Sequence, residues 1–72
     1  MITLYTTHCP KCKILQQKLD QKQIEYEVID DENTVIEYGK DIGILSTPIL
    51  EVNGVAFDFN TAIKWLATKW GN

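Results

Sequence analysis

Cys9 and Cys12 are the only thiols in the chain, and the two residues between them, Pro10 and Lys11, set what the sulfurs can do together. Cysteines three positions apart on a helix are neighbours on one face, within the Cα range that a disulfide accepts. The loop such a bond closes is too short to restrict the unfolded chain much, so it makes a poor structural staple. Reversible exchange fits better: one thiolate attacks a substrate disulfide, a mixed disulfide forms, and the second sulfur displaces the reduced substrate. A C-x-x-C pair is also half of a zinc site, which takes four ligands. His8 is the one other Cys or His in the chain, so a mononuclear site runs short of ligands. An iron-sulfur cluster shared between two chains is the other metal reading, because one copy cannot provide four thiolates.

Exchange needs an ionised sulfur. The first N–H groups of a helix lack intrahelical partners, and a cysteine at that end has its thiolate favoured by them and by the helix dipole. Lys11 and Lys13 can add to the effect, although they are as readily a solvated helix face. On exposure, Cys9 should react first. Cys12, inside the first turn and partly covered, should be the less acidic and act second. His8 could tune Cys9 or carry protons, but a solvated loop histidine needs no function, and that plainer reading is preferred.

The elements that must hold this pair are legible in the patterning. Ile2 to Tyr5 reads as a strand that delivers the chain to the cysteines. From Pro10, tolerated in a first turn, Ile14, Leu15 and Leu19 recur at helical spacing to about Lys22. Glu25 to Asp30 returns to strand character, and this order predicts a right-handed parallel crossover. Asp31 to Thr34 can start a second helix carrying Val35, Ile36 and Ile42, with Gly43 at its end. Ile49 to Val52 and Val55 to Phe57 flank Asn53-Gly54, a dipeptide that favours a two-residue hairpin turn. Asn60 or Thr61 is expected to cap a last helix with Ile63, Leu66 and Trp70 on one face. Trp65, Trp70, Phe57 and Tyr26 are expected to fill the core or its edge. The sum is an α/β chain, β-α-β-α-β-β-α, with one four-stranded mixed sheet flanked by helices.

Composition narrows the partners. Seventy-two residues make one domain, 1–72, and 44% hydrophobic with 24% charged residues is ordinary for a globular chain. A net charge of −3 without a single Arg argues against a nucleic-acid or anionic-membrane surface. The start Met1-Ile2-Thr3-Leu4-Tyr5 lacks the features of a signal peptide, and no apolar run approaches spanning length. A cytoplasmic monomer is expected, and in a reducing compartment a close cysteine pair is more often catalytic or metal-binding than a lasting crosslink.

Read together, Cys9-Pro10-Lys11-Cys12, the β-α-β start and the Ser46-Thr47-Pro48 loop make the chain resemble the glutaredoxin family over nearly all its length. The resemblance implies a thioredoxin-like, glutaredoxin-type fold and a thiol-disulfide oxidoreductase with Cys9 as nucleophile and Cys12 as resolving residue. It implies no bound cofactor beyond a redox-active Cys9-Cys12 disulfide, and substrate contacts at Pro10, Lys11, Thr47 and Pro48. It also implies a cis Pro48, with the Thr47 backbone facing Cys9 and pairing with incoming substrate like an added strand. The partners would be a disulfide-containing protein or small molecule and a reductant, either glutathione or a thioredoxin-reductase-type enzyme. Two departures weigh against glutathione. The family's Lys or Arg before the first cysteine is replaced by Thr6, Thr7 and His8, and its Gly-Gly stretch by Phe57-Asp58-Phe59-Asn60-Thr61. Related alternatives are an electron donor dedicated to one partner such as ribonucleotide reductase, and a metal or Fe-S carrier using Cys9.

Overall fold

A computed structural model describes residues 1–69 of the chain. The elements run β1 (Ile2–Tyr5), α1 (Pro10–Gln21), β2 (Glu27–Ile29), α2 (Glu32–Ile42), β3 (Ile49–Val52), β4 (Val55–Phe57) and α3 (Phe59–Lys69). The sheet order is β2-β1-β3-β4. β1 runs parallel to β2 and antiparallel to β3, with Leu4 between Val28 and Leu50, and β4 pairs antiparallel to β3. This is the mixed four-stranded sheet that the patterning predicts.

Successive side chains on a strand point to opposite faces. Leu4 and Leu50 therefore join Leu15, Leu19, Ala62 and Leu66 in a core beneath α1 and α3. Their neighbours Tyr5 and Ile49 meet Val35 of α2 on the other face, where the Tyr5 and Tyr38 rings stack 4.0 Å apart. On α1 the buried residues are Cys12, Leu15 and Leu19, while Ile14 is exposed. The helical stripe thus starts at a cysteine, one turn earlier than the aliphatic residues alone mark it.

Helix ends follow local chemistry. The Asp31 carboxylate accepts the Thr34 N–H at 3.0 Å to start α2, and Gly43 ends it at φ 78°, the left-handed conformation that glycine adopts without penalty. On α2, Val35 and Gly39 are buried, whereas Ile36 is exposed. The turn of the β3–β4 hairpin has positive φ at both Asn53 (51°) and Gly54 (88°), as the two-residue turn requires. α3 begins at Phe59, two or three residues earlier than expected: Asp58 accepts the Thr61 N–H at 2.8 Å, so Thr61 is a donor and Asp58, not Asn60 or Thr61, is the capping side chain. β2, Glu27–Ile29, is shorter than the expected Glu25–Asp30 stretch; just before it, Tyr26 packs against the core and donates its hydroxyl to Asp20 at 2.8 Å. Phe57 and Trp65 meet at 5.9 Å beside the core. Trp70 lies outside the described residues. Among those residues, no helix is long and apolar enough to cross a membrane.

Candidate active site

β1 delivers its face alternation past its own end. Thr6 N–H reaches the Ile29 carbonyl at 3.0 Å, and the Thr6 side chain is fully buried. The chain then turns through His8, whose φ of 61° is left-handed and whose N–H is received by the Thr6 hydroxyl at 2.9 Å. Cys9 follows in extended conformation as the residue before α1, and its carbonyl accepts the Lys13 N–H at 3.0 Å. Its sulfur takes the position that a Ser or Asp oxygen usually fills at a helix start: Cys9 Sγ accepts the Cys12 N–H at 3.2 Å. A backbone donor and the positive end of the helix dipole converge on this half-buried sulfur.

The Thr47-Pro48 bond is cis, as the resemblance implies, and Pro48 is fully buried. The Thr47 carbonyl and hydroxyl each lie 3.7 Å from Cys9 Sγ, and the Thr47 and Thr7 hydroxyls meet at 2.8 Å. Cys9, Cys12 and Thr47 thus come together as expected. Pro10 and Lys11 are exposed on the first turn. The Lys11 ammonium lies over the Phe59 ring, 5.6 Å from its centre, so the packing of α1 against α3 draws that charge onto an aromatic face. His8 Nε2 sits 3.1 Å from Asp30 Oδ2, which turns the third ligand of the zinc reading toward a carboxylate.

Both cysteines are free thiols, and Cys12 is fully buried. Burial pushes the Cys12 thiol up. Hydrogen bonds from Cys9, the Thr6 hydroxyl, the Thr7 backbone and Thr47 outweigh burial and bring it down to about 6. Burial alone pushes this thiol up, as expected from the sequence, and the hydrogen bonds around the sulfur reverse the direction of the shift. The two sulfurs share a hydrogen bond, so the first proton to leave belongs to the pair. Exposure separates the two sulfurs: Cys9 is half-buried and Cys12 fully buried.

Thr6 and Thr7 were absent from the sequence-based candidates. The signal for Thr6 was present, because strand alternation continued from Leu4 places it under the start of α1. The threonine is polar, and polarity hid a buried position. A groove of about 270 Å³ opens beside the site, lined among others by Thr7, Gly39, Lys40, Leu45 and Thr47. A larger one of about 610 Å³ lies around Met1, Ile24 and Tyr26, and neither cysteine lines it.

No family model matches the chain, and no curated protein matches it. Among solved structures it is similar to a diazinon-metabolizing glutathione S-transferase of the silkworm Bombyx mori, with a TM-score of 0.79 and 17% identity. The likeness covers 97% of this chain and spans 38% of the length of that one. At such identity it shows the fold, which is thioredoxin-like.

Proposed function

We propose that this chain is a thiol-disulfide oxidoreductase in which Cys9 attacks a substrate disulfide and Cys12 resolves the mixed disulfide. One observation carries the reading: Cys9 Sγ, reachable from solvent, accepts the Cys12 N–H at 3.2 Å while the second thiol lies buried one turn further on. The substrate sulfur approaches Cys9 from the side where Thr47 presents its carbonyl, an acceptor for the N–H of an extended chain. In the first step the bond Cys9–S forms and the substrate disulfide breaks. In the second the Cys12 thiolate attacks Cys9, the mixed disulfide breaks, and the substrate leaves fully reduced.

A thioredoxin-reductase-type enzyme fits the reductant better than glutathione. The stretch that would face a glutathione carboxylate holds Asp58, whose carboxyl is kept low by the Thr61 backbone and hydroxyl and so stays charged. Like charge opposes the tripeptide there, and the residues before Cys9 offer no Lys or Arg in compensation.

Two assays test this. The oxidised protein is offered NADPH with glutathione and its reductase, and separately NADPH with thioredoxin reductase. Consumption of NADPH only in the second overturns nothing; efficient turnover in the first removes the argument from Asp58. Independently, Cys9→Ser should abolish turnover of a disulfide substrate, and activity surviving that change would end the reading.

A further inference from the structure

Beside Cys9 the surface stays open. The groove of about 270 Å³ starts at Thr7 and Thr47, whose hydroxyls meet at 2.8 Å, and is walled by α2 and by the loop that follows it. Ile36 of α2 and Leu45 of the loop both line it, and they are 47% and 84% exposed. A single exposed aliphatic residue signifies little. Two that line one groove, next to a reactive sulfur, offer an apolar contact to whatever that sulfur attacks.

Thr47 constrains the occupant. Its carbonyl lies 3.7 Å from Cys9 Sγ, so a chain that pairs with Thr47 passes the sulfur in extended form. Alternate side chains of an extended chain share a face, two residues spanning about 7 Å. A substrate cysteine with its sulfur toward Cys9 therefore brings the side chain two residues away, on the α2 side, down into the groove. An aliphatic side chain there leaves water between Ile36 and Leu45. Charge selects further. Lys40, one helical turn past Ile36, is the charged residue that lines the groove. Among the described residues the ion pair is that of His8 with Asp30, so neither Glu37 nor Asp41, its neighbours on α2, neutralises Lys40 by contact. An occupant that covers this ammonium strips it of water and must return opposite charge.

We infer that the substrate is a disulfide protein whose extended segment places an aliphatic residue two positions from the reactive cysteine, received by Ile36 and Leu45, and an acidic residue beyond it, received by Lys40. The inference rests on the exchange reading of the site and names the substrate class for it.

The probe is a synthetic peptide with one cysteine, leucine at both of its second neighbours and glutamate two residues further out on each side, so that either chain direction fits. The cysteine is capped as a disulfide with a coloured aromatic thiol. The Cys9 thiolate attacks the peptide sulfur, the Cys9–peptide bond forms, and the coloured thiolate leaves with the electron pair; the capped disulfide is the oxidant. Sister peptides carry serine for leucine or glutamine for glutamate. Half-burial of a leucine should favour the leucine peptide about tenfold in second-order rate. One exposed ion pair should favour the glutamate peptide about threefold at low salt, and high salt should erase that preference alone.

The ratio between two peptides cancels any change at Cys9 itself, so each variant is its own reference. Leu45→Ser should bring the first ratio toward one, and Lys40→Glu should invert the second. Both substitutions fall on exposed side chains. Ratios equal to those of wild type in both variants overturn the inference. So does a wild-type dimer in sedimentation that Leu45→Ser dissociates, because the groove then belongs to a second copy. Release of colour from no peptide by wild type would instead sink the exchange reading.

Discussion

Gly39→Ala is the substitution whose effect the structure decides against the ordinary rule. In an exposed helix interior, Gly to Ala gains about 1 kcal/mol. Gly39 is buried on α2, and a Cβ built there would lie 2.5 Å from the Ile44 carbonyl oxygen, a separation that real Cβ atoms essentially never show. The obstacle is backbone and cannot rotate away. It is also tied down, because the Ile44 N–H is held by the Gly39 carbonyl at 3.0 Å where the chain turns at Gly43. Overpacking of a tight site costs about 1–3 kcal/mol. Subtracting the propensity gain leaves a net loss of about 1 kcal/mol, or a fall in Tm of about 4–8 °C for a domain of this size. The strain has a functional direction, since Ile44 leads into the loop that sets Thr47 beside Cys9. Thermal and urea unfolding followed by circular dichroism give the first number. Single-turnover attack on a model disulfide gives the second, which should fall with it. A Gly39→Ala protein as stable as wild type, or more so, refutes the reasoning from the Ile44 contact.

Asp58→Ala removes the cap of α3 and should cost about 1 kcal/mol by urea unfolding, with Asp58→Asn recovering most of it. Leu15→Ala opens a hole beneath α1 and should cost about 2–5 kcal/mol, enough to unfold a domain this small at moderate temperature. Acid should weaken the fold through both capping carboxylates. The hydrogen bonds from Thr34 hold Asp31 below the usual carboxylate range and those from Thr61 hold Asp58 there. Folded values below unfolded ones mean that this stability is present above about pH 4 and is lost as pH falls through the folded values. Unfolding free energies measured from neutral pH to pH 2 should decline there in wild type and less steeply in Asp58→Ala.

Order and type of all seven elements were legible in the sequence, because strand and helix periods differ sharply and Asn53-Gly54 and Gly43 punctuate them. The site was legible wherever a residue type is tied to one chemistry: Cys9, Cys12 and the Thr47-Pro48 loop. What escaped notice depends on tertiary placement. Burial of Cys12 is easily foreseen, whereas the hydrogen bonds that pull its thiol down involve Cys9, Thr6 and Thr7 beyond the end of β1, and Thr47. Lys11 was read as a possible aid to the thiolate, but nothing local predicts that Phe59 of α3 will lie under its ammonium. Thr6 was passed over because sequence patterning assigns threonines to surfaces.

Because Cys12 occupies a core position of α1, small oxidants such as peroxide meet only Cys9. A sulfenic acid formed there has a thiol one turn away that can condense with it before a second oxidation makes the damage permanent. Sealing one sulfur inside the packed interior therefore shields the other from irreversible loss. Cys12→Ala should collect sulfinic acid at Cys9 under peroxide, seen by intact mass, where the wild-type chain stops at the disulfide.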